Sequence, residues 1–103
     1  MRIEHYPPEK FKKQILEIIG KYLDLNSYQV FFFGSRVIGK GNERSDIDIG
    51  IKGPGPVSSK AWVEIQEEIE NLPILYKIEI VDFSQTTPIF KKVALQHMEP
   101  IKI

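Results

Sequence analysis

The sequence predicts an α/β domain, a small mixed β-sheet with helices packed on one side. Three observations lead there. Residues 8–25 and 59–71 carry apolar side chains at helical spacing. Residues 28–33, 46–52 and 74–83 are rich in β-branched and aromatic residues and read as strands. The segment between the first two strands is glycine-rich and polar, with no apolar period, so it reads as a loop. The order is therefore helix, strand, loop, strand, helix, strand, helix.

The chain of 103 residues has the length of one domain, residues 1–103. Fourteen basic residues balance 14 acidic ones. That balance argues against a general nucleic-acid coat protein, which shows a basic excess. Cysteine is absent, which excludes disulfides and thiolate metal sites. Neither a signal peptide nor a transmembrane run is visible, so a cytoplasmic protein without a membrane partner is expected.

Pro7-Pro8 is a helix start, since proline fits the first turn. Phe11, Ile15, Ile18, Ile19, Tyr22 and Leu25 then form one face to about residue 25. Gly20 is tolerated within it at a cost of about 1 kcal/mol relative to alanine. Lys10, Lys12, Lys13 and Lys21 read as a solvated face. Asn26-Ser27 turns the chain into Tyr28-Gln29-Val30-Phe31-Phe32-Phe33, a buried strand. After Lys52, Gly53-Pro54-Gly55-Pro56 breaks the chain, and Ser58 or Ser59 caps the next helix. Trp62, Ile65, Ile69 and Leu72 are its inward stripe, and Glu64, Glu67, Glu68 and Glu70 lie mostly on the solvated side. Pro73 ends it. In the third strand Glu79 interrupts an apolar run, a costly place for a carboxylate without a partner or a metal. Asp82, on the opposite face, reads as structural. Thr87-Pro88 starts a last helix to about residue 97, with Phe90, Val93, Ala94 and Met98 inward. Ile101 and Ile103 alternate and are compatible with a small edge strand. His5 and His97 read as surface residues.

The stretch that carries chemistry is residues 34–51. Gly34 lets the chain bend and lets backbone N–H groups approach a ligand. Ser35 adds a hydroxyl and Arg36 a phosphate-shaped fork. In the following strand, alternation puts Asp46 and Asp48 on one face and Ile47, Ile49 and Ile51 on the other. The two aspartate Cα atoms then lie roughly 6.5–7 Å apart. A divalent metal relieves their repulsion, and hard oxygen ligands suit Mg²⁺. Alternation alone also yields such a pair on any half-exposed strand, so the pattern gains force from the Gly-Ser turn before it.

Gly34 to Gly41 nearly matches the P-loop pattern, G-x-x-x-x-G-K-[ST]. Gly41 lacks the required hydroxyl, no helix begins there, and the next strand arrives too soon for a crossover of about a dozen residues. A P-loop would make Lys40 the nucleotide anchor. Lys40 and Arg44 are otherwise candidate triphosphate contacts.

Gly34-Ser35-Arg36, Gly39 and Ser45-Asp46-Ile47-Asp48-Ile49-Gly50-Ile51 resemble the signature of the minimal nucleotidyltransferases, stand-alone members of the DNA polymerase beta superfamily. The resemblance covers nearly the whole chain. It implies the polymerase-beta-type nucleotidyltransferase core, whose open sheet face holds metals and substrate. It implies Asp46, Asp48 and Glu79 as catalytic metal ligands for two Mg²⁺ ions, with Gly34, Ser35 and Arg36 on the nucleotide phosphates. That family commonly has aspartate where Glu79 stands, which sets this carboxylate one methylene further out. The implied reaction transfers AMP from ATP to a hydroxyl. The implied acceptor is a tyrosine of a small helical HEPN-type toxin, with this chain as antitoxin and possible oligomer. The alternative is a non-catalytic subunit that neutralises a partner and keeps a vestigial nucleotide site.

Overall fold

A computed structural model of the chain describes residues 7–34, 47–74, 76–96 and 98–101. The expectations for His5, Ser35, Arg36, Gly39, Lys40, Arg44, Asp46, His97 and Ile103 lie outside these residues. The elements are α1 (Pro8–Gly20), β1 (Gln29–Phe33), β2 (Ile47–Lys52), α2 (Ser59–Glu70), β3 (Ile78–Asp82), a 3₁₀ turn (Phe83–Gln85), α3 (Pro88–Leu95) and β4 (Met98–Pro100). They form a mixed four-stranded sheet in the order β3-β2-β1-β4. β1 pairs antiparallel with β2 and β4, and β2 pairs parallel with β3 through the α2 crossover.

β2 sets the two faces. Ile47, Ile49 and Ile51 are fully buried beneath α1 and α2, with Val30 and Phe32 of β1 beside them. Phe11, Ile15, Ile18 and Ile19 enter from α1, and Ile65 and Ile69 from α2. Phe11 stacks on Phe32 at 5.9 Å between ring centroids. Full burial of each such side chain contributes about 1.5–3 kcal/mol. Trp62 and Leu72 join the edge of this core. At the end of α2, Glu68 accepts hydrogen bonds from Lys21 and the Tyr22 hydroxyl, tying the two helices together. The Glu68 hydrogen bond pushes the Tyr22 pKa up to about 12. Glu68 is thus a bridge between helices, where the sequence pattern grouped it with a solvated face.

Four boundaries differ from the sequence reading. α1 ends at Gly20, five residues before Leu25, because the Lys21 N–H closes on the Ile18 carbonyl and the Tyr22 N–H on the Ile19 carbonyl. The Asp24 carboxylate then holds a turn by accepting from Asn26 N–H and the Ser27 hydroxyl. Leu25 stays 41% exposed. β3 spans Ile78–Asp82 only, while Ile74 and Tyr76 pack on the core from outside the strand. α3 stops at Leu95, so Met98 lies in a strand, though still against the phenylalanines. The last edge strand is Met98–Pro100, earlier than the Ile101 and Ile103 alternation suggested. Ile101 is nonetheless buried, and its N–H donates to the Val30 carbonyl at 2.9 Å.

The second face is divided. At one end Phe31, Phe33 and Phe83 form a small cluster, with Val81, Ala94 and Met98 packed against it. Phe83 meets Phe31 and Phe33 edge-on at 5.0 and 5.2 Å, a favoured ring arrangement. Phe90 adds to it from α3 while remaining 42% exposed. Gly50 sits under these rings, and a Cβ there would lie 2.5 Å from Phe31 and 2.7 Å from Phe83. Asp82 anchors the turn that delivers Phe83. Its carboxylate accepts from Val57 N–H at 2.9 Å, Ser84 N–H at 3.0 Å and the Ser84 hydroxyl at 2.7 Å. This is the structural role its position implied. Burial opposes its ionisation, but these hydrogen bonds outweigh burial and hold the carboxyl below the usual aspartate range. Ser58 caps α2 by accepting from Ala61 N–H, and Thr87 accepts from Phe90 N–H at the start of α3.

Gly50→Ala should overpack this cluster and cost about 1–3 kcal/mol, read as a lower urea midpoint. A depressed folded-state pKa stabilises the native state above the unfolded aspartate value of about 3.9, and that contribution is lost as pH falls from there through the lowered folded value. Asp82→Asn should therefore lower stability at pH 7 and flatten its decline between about pH 4 and pH 2 relative to the parent protein. Equal slopes in urea titrations across that window would show that Asp82 adds nothing to acid stability.

Candidate active site

The half of the second face not filled by phenylalanine carries the carboxylates. Asp48 lies at the centre of the sheet, between Phe33 of β1 and Glu79 of β3 in the paired register. Registered residues on neighbouring strands project to the same face, so Phe33, Asp48 and Glu79 form one row across the sheet. Neighbouring strands run about 4.8 Å apart, which brings both carboxylates within reach of one ligand. Asp46, two residues before Asp48, lies outside the described residues, as do Ser35 and Arg36. The structure thus brings together Gly34, Asp48 and Glu79 of the six site residues expected from sequence.

Gly34 closes one side of this site. Its φ is +88°, a conformation L side chains rarely adopt. A Cβ on it would lie 2.3 Å from Asp48 Oδ2, so the turn after β1 presses its bare backbone against this carboxylate. The absence of a side chain is what allows the backbone of this turn to lie so close to the aspartate.

Glu79 departs from the expectation of a buried strand centre. β3 is an outer strand of the described sheet, and the Glu79 side chain is 46% exposed. Lys77, two residues earlier on the same face, approaches Glu79 Oε1 at 3.2 Å. The apolar run around Glu79 arises because Ile78 and Ile80 pack toward α2 from an edge. Hydration and the lysine make the carboxylate tolerable there without burial. Lys77 was not singled out in the sequence, although its alternation with Glu79 contains the signal.

Two carboxylates on an exposed face, next to a backbone with no Cβ, fit a divalent cation of the Mg²⁺ type, which prefers oxygen ligands and keeps several waters. No group of three or more histidine, aspartate or glutamate side chains suited to a metal occurs among the described residues. Asp46 is not one of those residues. No described helix is long and apolar enough to cross a membrane.

Gly34→Ala should lose about 1–2 kcal/mol from the left-handed backbone and displace the Asp48 carboxylate. Urea unfolding would measure the first, and a shifted Asp48 side-chain ¹³C resonance the second. An unmoved resonance would separate Gly34 from the site.

The fold has counterparts in known proteins. The model of the polymerase beta nucleotidyltransferase family matches residues 10–102. A Haemophilus influenzae protein described as a probable protein adenylyltransferase, MntA, is 29% identical over 84 residues, covering 80% of this chain and 74% of that protein. A solved toxin-antitoxin complex with AMP-PNP contains a chain that superposes with a TM-score of 0.69 at 17% identity, over 88% of this chain and 72% of the other. A chain from the tri-AMPylated Shewanella oneidensis HEPN toxin in complex with its MNT antitoxin gives 0.65 at 14% identity, over 91% and 71%. At those identities the solved structures speak for the fold, and it is the same fold. With nearly the whole chain matched by the family model, this protein belongs to the polymerase beta nucleotidyltransferase family.

Proposed function

We propose that this chain transfers AMP from ATP to a hydroxyl on a HEPN-type partner protein in the cytoplasm, as the antitoxin of a toxin-antitoxin pair. The observation that carries the reading is the row of Asp48 and Glu79 on the open part of the sheet, capped by the side-chain-free Gly34. Family membership supplies the reaction class. The relative described as a protein adenylyltransferase supports AMP as the transferred group. The AMP-PNP complex and the tri-AMPylated HEPN toxin support the nucleotide and the partner.

In this reading Asp46, Asp48 and Glu79 hold Mg²⁺. Gly34, Ser35 and Arg36 receive the β- and γ-phosphates, the glycine by close backbone approach and the arginine by a bidentate fork. When bound, two metal ions lower the acceptor hydroxyl's pKa and neutralise charge on the leaving pyrophosphate. Asp48 sits on the central strand, so its backbone cannot shift without moving the core isoleucines on either side. That rigidity fixes the α-phosphorus relative to the acceptor, which is worth several kcal/mol of orientation. The hydroxyl oxygen attacks the α-phosphorus in line. The new P–O bond forms as the bond to the bridging oxygen breaks, pyrophosphate departs, and the hydroxyl proton passes to solvent. The exposure of Glu79, on an outer strand of the described sheet, supports entry of the acceptor beside it.

The test is calorimetry of ATP with and without Mg²⁺, followed by transfer of radiolabelled AMP to a co-purified partner. Asp48→Asn should retain the fold and lower transfer by 10²-fold or more. Glu79→Asp, the shorter carboxylate common in the family, should keep measurable transfer, whereas Glu79→Gln should not. Full transfer by Asp48→Asn would overturn the assignment. Nucleotide binding without transfer in the parent protein would favour the neutralising subunit with a vestigial site.

A further inference from the structure

The outer edge of β3 is a built groove. The Ile47 N–H donates to the Lys77 carbonyl at 2.9 Å. In a strand the N–H and C=O of one residue point the same way and alternate along the chain. Lys77, Glu79 and Val81 therefore turn their backbone groups toward β2. Ile78 and Ile80 turn theirs outward, away from the sheet, and no other strand of the described residues lies on that side.

Beside this edge, α2 forms a wall. Two cavities of about 470 and 340 Å³ run along the junction of α2 and β3 and share Ile80 and Val81. Trp62 and Val63 line the first, and Gln66 and Glu70 the second. Trp62, Gln66 and Glu70 recur every four residues, with Val63 beside them, so they form one stripe along the helix. Val63 is 51% exposed, although it faces this apolar space. A strand edge beside a helix, with outward backbone pairs, one mainly apolar pocket and one polar pocket, is the geometry that takes an extended peptide as an added strand. The second cavity reaches Lys77 and Glu79, so the groove runs into the carboxylate row.

We infer that the groove between α2 and β3 binds an extended segment of the acceptor polypeptide by strand addition, with the hydroxyl-bearing residue in register with Glu79. The inference rests on the transferase reading. A residue opposite Glu79 on an added strand projects to the same face as Asp48 and Glu79 and becomes the next member of that row. Neighbouring residues of the segment point to the α2 side, where the two cavities receive them. The main chain supplies affinity through Ile78 and Ile80, and the row supplies the position of the hydroxyl. The acceptor must then be unfolded locally or lie in a tail or loop, since a helix cannot offer its backbone to an edge.

The test uses a degenerate nonapeptide library with a central tyrosine, serine or threonine, ATP labelled at the α-phosphate, and Mg²⁺. The best-labelled peptides are then remade with single backbone N-methyl groups. N-methylation at alternate positions should reduce labelling tenfold or more and leave the intervening positions nearly unaffected. Ile78→Pro should do the same, because proline is accepted where the N–H faces away from the sheet. Should that variant fail to fold, the N-methyl scan on the unaltered protein decides. Labelling indifferent to N-methylation, or sensitive with a period of three to four, would overturn the groove assignment. So would a protein that binds Mg·ATP by calorimetry and labels no peptide. Failure of the parent protein to bind Mg·ATP would instead bring down the transferase reading, and the groove assignment with it.

Discussion

The structure depends on the alternation of β2. Its three isoleucines must lie under α1 and α2, and the same parity puts Asp48 and Gly50 on the opposite face. A slip of one residue would bury the carboxylate among isoleucines and phenylalanine, at a cost of several kcal/mol, and leave the isoleucines in water. Burial thus fixes the position of a functional group that makes no contribution to the core. Pairing on both sides of β2 extends this constraint, because the registers with β1 and β3 align Phe33 and Glu79 with Asp48.

The second face shows how one sheet surface serves two purposes. Phe31, Phe33, Phe83 and Phe90 fill one part of it, and the carboxylates occupy the rest. Two glycines set the division. Gly50 leaves room for the rings to close on the strand, and Gly34 leaves room beside the Asp48 carboxylate. Asp82 supports the arrangement from the other face by capping the turn that brings in Phe83. The site is therefore walled by packing that belongs to the stability of the domain.

The placement of Glu79 joins the site to the sheet's edge. A carboxylate on a central strand would be reached only from above. On β3 it is also reached from the side, past α2, and its charge is moderated by water and Lys77. Chains of solved structures share the fold at identities of 14 to 17%, so the fold persists while most side chains differ. That tolerance follows from the physics, since a layer of apolar helices over a sheet requires volume and pattern more than particular residues.

Much of this was written in the sequence. The alternation of residues 47–51, the helical stripes of α1 and α2, the Ser58 and Thr87 caps and the break at residues 53–56 all follow from local rules, because each depends on periodicity or on a nearby backbone partner. The motif from Gly34 to Ile51 was enough to indicate the family and its reaction. What required tertiary structure was everything set by distant contacts. Sequence could not show that β3 lies at an edge of the described sheet, because an apolar run reads the same whether one side or two are covered. It therefore took Glu79 for a buried acid. It could not place the end of α1, where a glycine and a turn held by Asp24 compete with a continuing apolar period. Nor could it pair Met98–Pro100 with Phe31–Phe33, a contact that spans most of the chain. The chemistry was local and legible, whereas its accessibility was decided by which strands found neighbours.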